Sequence, residues 1–143
     1  MPSRRELDTC YMTCAEAHAS LSRGVRAKVG ACLVTPSGVV IGGCNGMASG
    51  GDNQLEYFEN NELITKPEVI HAELNCILKA AEQGVSVKDC VVYVTLSPCL
   101  PCSEMLKNIK VKRVVYRDKY RCEKGIRNLI TGGVEVEQYE SFT

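Results

Sequence analysis

The stretch Val91-Val92-Tyr93-Val94-Thr95-Leu96-Ser97-Pro98-Cys99-Leu100-Pro101-Cys102 decides the architecture. Val91 to Leu96 is a continuous apolar run, the pattern of a strand buried on both faces. Pro101 suits the first turn of a following helix, because its missing N–H would have had no partner there. That helix is predicted to run to Asn108, and a second apolar run lies near Val111–Tyr116. Strands joined through a helix lie parallel.

The rest of the chain builds outward from this pair. Leu7, Cys10, Tyr11, Cys14, Ala17, His18 and Leu21 recur at helical spacing and predict an amphipathic helix over 5–22. His18 falls on that stripe and is expected as a core or interface residue. Lys28–Thr35 and Val39–Cys44 read as two strands joined at Pro36-Ser37-Gly38, a hairpin. Met47–Pro67 is polar and weakly periodic, so a loop bordering the site is expected. His71 to Gln83 predicts a second helix, with Leu74, Ile77, Leu78 and Ala81 inward and Gly84 ending it. A helix near Lys119–Ile130 and a strand near Val134–Glu137 follow. The order α-β-β-α-β-α-β-α-β predicts an α/β fold, a mixed five-stranded sheet with helices on both faces in three α/β/α layers.

At 143 residues the chain is expected to form a single domain, 1–143. Its 17 basic and 17 acidic residues cancel, so no global field holds a polynucleotide and a small ligand is expected. Local basic groups remain, Arg23, Arg26 and Lys28 among them. The nine cysteines are an odd number, and the start Met1-Pro2-Ser3-Arg4-Arg5 leads into a polar helix. No segment approaches membrane-spanning length. A reducing, cytoplasmic setting is expected, with most thiols as small core residues. Cys10 and Cys14, a turn apart, fit an apolar stripe better than a metal site.

Two short motifs carry the chemistry. His71-Ala72-Glu73 and Cys99-Leu100-Pro101-Cys102 offer an imidazole, two thiols and one spare carboxylate. His71, Cys99 and Cys102 are the candidate ligands of a Zn²⁺ ion whose fourth position stays open for water, the arrangement of a catalytic zinc. Both motifs are expected at helix starts, where the partial positive charge favours thiolates. The alternative is a closed structural site with Cys76 or Cys90 as fourth ligand. Cys76 would sit about 140° round a helix from His71, and Cys90 has no spacing to favour it. Glu73 is the candidate catalytic proton carrier. The pattern H-x-E followed by P-C-x-x-C is that of zinc-dependent nucleobase deaminases, which attack C4 of cytosine or C6 of adenine.

With these residues in hand, the chain resembles the deoxycytidylate (dCMP) deaminases of the zinc cytidine deaminase superfamily. The resemblance covers most of the chain. It runs through Val29-Gly30-Ala31-Cys32, Ile41-Gly42-Gly43-Cys44-Asn45-Gly46-Met47, His71-Ala72-Glu73-Leu74-Asn75, Tyr93 to Cys99, and Asp118-Lys119-Tyr120. It implies a cytidine-deaminase-like fold and hydrolysis of dCMP to dUMP and ammonia, supplying thymidylate synthesis. It implies that Asn45 touches sugar or phosphate, that Ala72 and Ser97 meet the base edge through backbone groups, and that Tyr120 borders the sugar and phosphate. It further implies a homohexamer activated by dCTP and inhibited by dTTP, with Mg²⁺ on the triphosphate. Arg26, Gly46 and Gly50 are then candidate phosphate or effector contacts within or beside the Asn45–Asn53 loop. The chain departs from the family at Ala48, where proline is common, and at Gly50-Gly51-Asp52-Asn53. Its two histidines, His18 and His71, speak against a second, structural zinc.

Two alternatives stay open. One is another deaminase of the superfamily, acting on a nucleoside, a free base or a tRNA adenosine; the neutral net charge weakens the tRNA version. The other is a zinc-stabilised binding module without catalysis, for which the unligated Glu73 has no use.

Overall fold

The computed structural model describes residues 1–48 and 50–140. Helix α1, Arg4–Ala19, starts at a capping box: Ser3 Oγ accepts the Glu6 N–H, and Glu6 accepts the Ser3 N–H. Strands β1 (Gly30–Val34) and β2 (Val40–Cys44) form the expected hairpin. Helix α2, Ala72–Gln83, ends on Gly84 at φ 69°, a left-handed position that costs glycine nothing. Strand β5, Val91–Leu96, leads into α3, Leu100–Asn108, and then β6, Arg113–Asp118. Helix α4, Lys124–Thr131, and β7, Glu135–Gln138, complete the main sheet.

The five strands lie in the order β2-β1-β5-β6-β7. The pairs β2/β1 and β1/β5 are antiparallel, and β5/β6 and β6/β7 are parallel, as the crossover through α3 requires. Side chains alternate across the sheet. Cys32, Val34, Tyr93 and Val115 face α1, packing on Met12 and Ala15. Ala31, Leu33, Val92, Val94 and Val114 face the other way into the main core, with Cys76, Leu106, Ile126 and Leu129 from α2, α3 and α4. The mixed α/β sheet with helices on both faces is as expected.

Four details differ from the sequence pattern. The segment 47–67 is not all loop: β3 (Glu56–Glu59) and β4 (Glu62–Thr65) form a second hairpin. Asn60 and Asn61 turn it, both at positive φ, as a two-residue hairpin turn demands. On α1 the buried face is Asp8, Met12 and Ala15, while Leu7, Cys10, Ala17 and Leu21 are exposed. Asp8 is drawn inward by Arg113 and Tyr93, which turns the helix off its apolar stripe. On α2 the buried face is Ala72, Glu73, Cys76 and Ala80; Leu78 and Ala81 are exposed, and Leu74 and Ile77 only half-buried. Small residues let that helix lie close to β2, where Asn75 Nδ2 donates to the Cys44 carbonyl at 2.7 Å. Finally α4 starts at Lys124 rather than near 119, because the Tyr120 N–H is taken by the Ser97 hydroxyl.

Candidate functional site

The site forms at the sheet end where β5 and β6 finish and β1 begins, beyond the carboxyl ends of the parallel strands. The chain leaves β5 through Ser97, which is held twice. Its N–H donates to the Asp118 carbonyl at 2.9 Å, and its hydroxyl accepts the Tyr120 N–H at 2.7 Å. Cys99 then caps α3 with extended backbone, and Cys102 lies in the first turn beyond. From the opposite side His71 caps α2, also extended. Neither cap spends its side chain on its own helix.

The imidazole and thiols are therefore free to converge. His71 Nδ1 lies 3.2 Å from Cys102 Sγ and 3.5 Å from Cys99 Sγ. The three ligand atoms all fall within 4.8 Å of one another, the one such cluster of metal-binding side chains among the described residues. A tetrahedral zinc with bonds of about 2.1 Å to nitrogen and 2.3 Å to sulfur spaces its donors by roughly 3.6–3.8 Å. The donor set and its spacing fit that ion. Cys76 and Cys90 lie in the hydrophobic core, outside the cluster, so neither serves as a fourth ligand.

Polarity within the cluster follows from its contacts. The two thiols share one proton. The hydrogen bond from Cys102 brings the Cys99 thiol down to about 4, against burial and with help from His71. The same bond, with burial, pushes Cys102 up. The bond to Cys99 raises His71 above its ordinary value. Glu73, on the first turn of α2, is 4% exposed. Burial pushes its carboxyl up to about 7, against the pull of its own backbone N–H and of His71. Elsewhere burial lifts Cys76 to about 12 and Cys90 to about 11, as inert core thiols.

A cavity of about 300 Å³ joins buried Glu73 to exposed Arg26. Of the candidates, Asn45, Ala72, Ser97, Tyr120 and Arg26 line it together with His71, Glu73 and Cys99. Cys102 stands just behind, buried. Gly46 and Gly50 are not among the lining residues: Gly46 is bridged to Ile70, and Gly50 sits exposed in the following turn. Ser49, within the Asn45–Asn53 segment, lies outside the described residues. Asn45 is committed on both sides, accepting the Val29 N–H at 2.8 Å and donating to the Ala27 carbonyl at 3.0 Å. His18 is no part of the site; its Nδ1 lies 3.0 Å from the Cys14 carbonyl, and its ring packs on Gly42.

Thr65 and Val69 also line the cavity and had no counterpart in the sequence reasoning. The alternation through Glu56–Thr65 about Asn60-Asn61 was the available signal. Helix α4 lines nothing, yet it backs the cysteine loop. A Cβ on Gly125 would run into the Pro98 carbonyl, so only glycine allows that approach.

The family description "Cytidine and deoxycytidylate deaminase zinc-binding region" matches residues 5–118. The chain belongs to this deaminase family. The deoxycytidylate deaminase of Homo sapiens is 37% identical over 116 residues, covering 77% of this chain and 64% of that protein. ComE operon protein 2 of Bacillus subtilis is 33% identical over 118 residues, covering 80% of this chain and 61% of that protein. The chain thus spans somewhat less than two-thirds of these relatives' length. The dCMP deaminase from the cyanophage S-TIM5, in a crystal structure with dCMP and dUMP, superposes with a TM-score of 0.88 at 37% identity, covering 96% of this chain and 100% of that one. The family fold and its zinc-binding region are therefore shared, with His71, Cys99 and Cys102 as the candidate ligands.

Proposed function

We propose that this chain, acting as one domain over 1–143, hydrolyses dCMP to dUMP and ammonia. The observation that carries the proposal is the His71, Cys99 and Cys102 cluster next to buried Glu73 in one nucleotide-sized cavity. The likeness to the S-TIM5 enzyme structure with dCMP and dUMP supports it.

A zinc ion on His71, Cys99 and Cys102 supplies Lewis-acid activation of water at neutral pH. Glu73 accepts the proton that this water gives up and delivers it to the ring nitrogen beside C4, making C4 a better electrophile. Glu73 then carries the second proton to the amino group, the C4–N bond breaks, and ammonia leaves. Burial keeps solvent from competing for these transfers. Ala72 and Ser97 present backbone groups to the base, while Asn45 and Tyr120 border the sugar. Ser97 offers its carbonyl for this, since its N–H is bonded to Asp118.

The proposal extends to regulation, on the family resemblance alone. It comprises a cytoplasmic homohexamer, activation by dCTP and inhibition by dTTP with Mg²⁺ on the triphosphate, and Arg26, Gly46 and Gly50 as candidate effector contacts. No helix of the described residues is long and apolar enough to cross a membrane.

The test offers the zinc-loaded protein dCMP, deoxycytidine, cytosine and an adenosine-bearing RNA, and follows ammonia. The expected result is fastest turnover of dCMP. Equal turnover of deoxycytidine, or preference for the RNA, sinks the assignment.

A further inference from the structure

We infer that Arg26 selects a 5′-phosphorylated substrate, and that the β3–β4 hairpin, through Glu56 and Thr65, positions it. This deepens the proposed function and rests on it. Arg26 is the one lysine or arginine among the residues that line the cavity. Its Nη1 donates to the Thr65 hydroxyl at 3.3 Å, a neutral partner. The other close arginines of the fold are neutralised: Arg4, Arg113 and Arg117 all meet carboxylates. No ion pair among the described residues includes Arg26.

The nearest carboxylate is deliberately occupied elsewhere. Glu56 Oε2 accepts the backbone N–H of Val25 at 2.7 Å and of Arg26 at 2.9 Å. Two N–H donors spread its charge and fix the Arg26 backbone, while leaving the guanidinium unpaired. The same loop is pinned from the sheet side by Asn45, which holds Ala27 and Val29, and by Ser22, whose hydroxyl accepts the Gly24 N–H. A backbone clamped at both ends carries an exposed, uncompensated cation at the mouth of a cavity whose buried end holds Glu73. A planar guanidinium in that position suits a phosphate oxygen pair. A nucleoside without phosphate has nothing to offer it.

The experiment measures kcat/KM for dCMP and for deoxycytidine, and the affinities of dUMP and deoxyuridine by calorimetry, on the zinc-loaded protein. Arg26→Ala should lower the dCMP-to-deoxycytidine ratio about 10- to 100-fold, mainly through KM, as expected for a lost charge-assisted contact. The dUMP-to-deoxyuridine affinity ratio should fall in parallel. Arg26→Lys should restore part of both. Glu56→Ala should lower both ratios by a smaller factor, and Glu56→Gln, which keeps an acceptor oxygen for the two N–H groups, should restore them. Rising ionic strength should erode the wild-type ratios and leave those of Arg26→Ala flat. A wild-type preference for phosphate that Arg26→Ala leaves unchanged overturns this inference while the dCMP assignment stands. Absence of turnover on any cytosine substrate removes the assignment, and the dUMP-to-deoxyuridine affinities then judge Arg26 alone.

Discussion

Two buried polar clusters sit on opposite ends of the same strands, and they are built on opposite terms. At the start of β6, Arg113 donates to both oxygens of Asp8 at 2.8 and 2.7 Å, and Tyr93 donates to Asp8 at 2.7 Å. Glu137 takes a further Arg113 bond at 3.0 Å. Only Arg113 Nε lacks a hydrogen-bond partner, and it faces Glu135 at 3.6 Å. That cluster closes on itself and ties α1 to the sheet. At the other end, His71, Cys99 and Cys102 are left with donors that satisfy one another poorly, next to a buried carboxyl. The first cluster completes the fold; the second waits for a cation and a substrate.

The comparison can be broken from either side. The largest effect is expected from Cys99→Ala, which should lose both zinc, by elemental analysis, and turnover, while the Asp8 end and the fold persist by circular dichroism. Next is Glu73→Gln, which should keep full zinc content and lower kcat by about 10²- to 10⁴-fold; near wild-type turnover would remove the proton-carrier role. Arg113→Met strikes the other end. Leaving Asp8 buried without its partner should cost about 3–5 kcal/mol in chemical denaturation, with zinc content intact.

The smallest effect is a pH limb. Burial opposes the Asp8 charge, but the bonds from Arg113 and Tyr93 outweigh it and hold the carboxyl below its ordinary value. The unfolded chain then binds the proton first as pH falls. The Asp8 contribution is complete above about pH 4 and is lost as pH drops from there through the folded value. Asp8→Asn should flatten this part of the stability profile, and an unchanged profile would place acid sensitivity elsewhere.

The same contrast explains what was legible in the sequence. The parallel pair followed from Val91–Leu96 and Pro101, because a doubly buried strand and a proline-started helix leave local marks. The ligand cluster followed from its spacing, because His71 and Cys99 are both helix caps. The faces of α1 and α2 did not follow. Asp8 and Glu73 are buried charges, and a pattern that counts apolar side chains assigns them to solvent. Asp8 is paid for by Arg113, 105 residues away, a pairing no local window contains. The β3–β4 hairpin was hidden because Asn60-Asn61 resembles loop composition, although both residues adopt the left-handed turn conformation.

Gly125 carries a lesson about tolerance to change. It meets no ligand, and its helix contributes nothing to the opening, yet its missing side chain sets how near α4 may rest behind Pro98 and Cys99. In a saturation scan of α4, this position should stand out as intolerant to every replacement, with damage read as loosened metal grip.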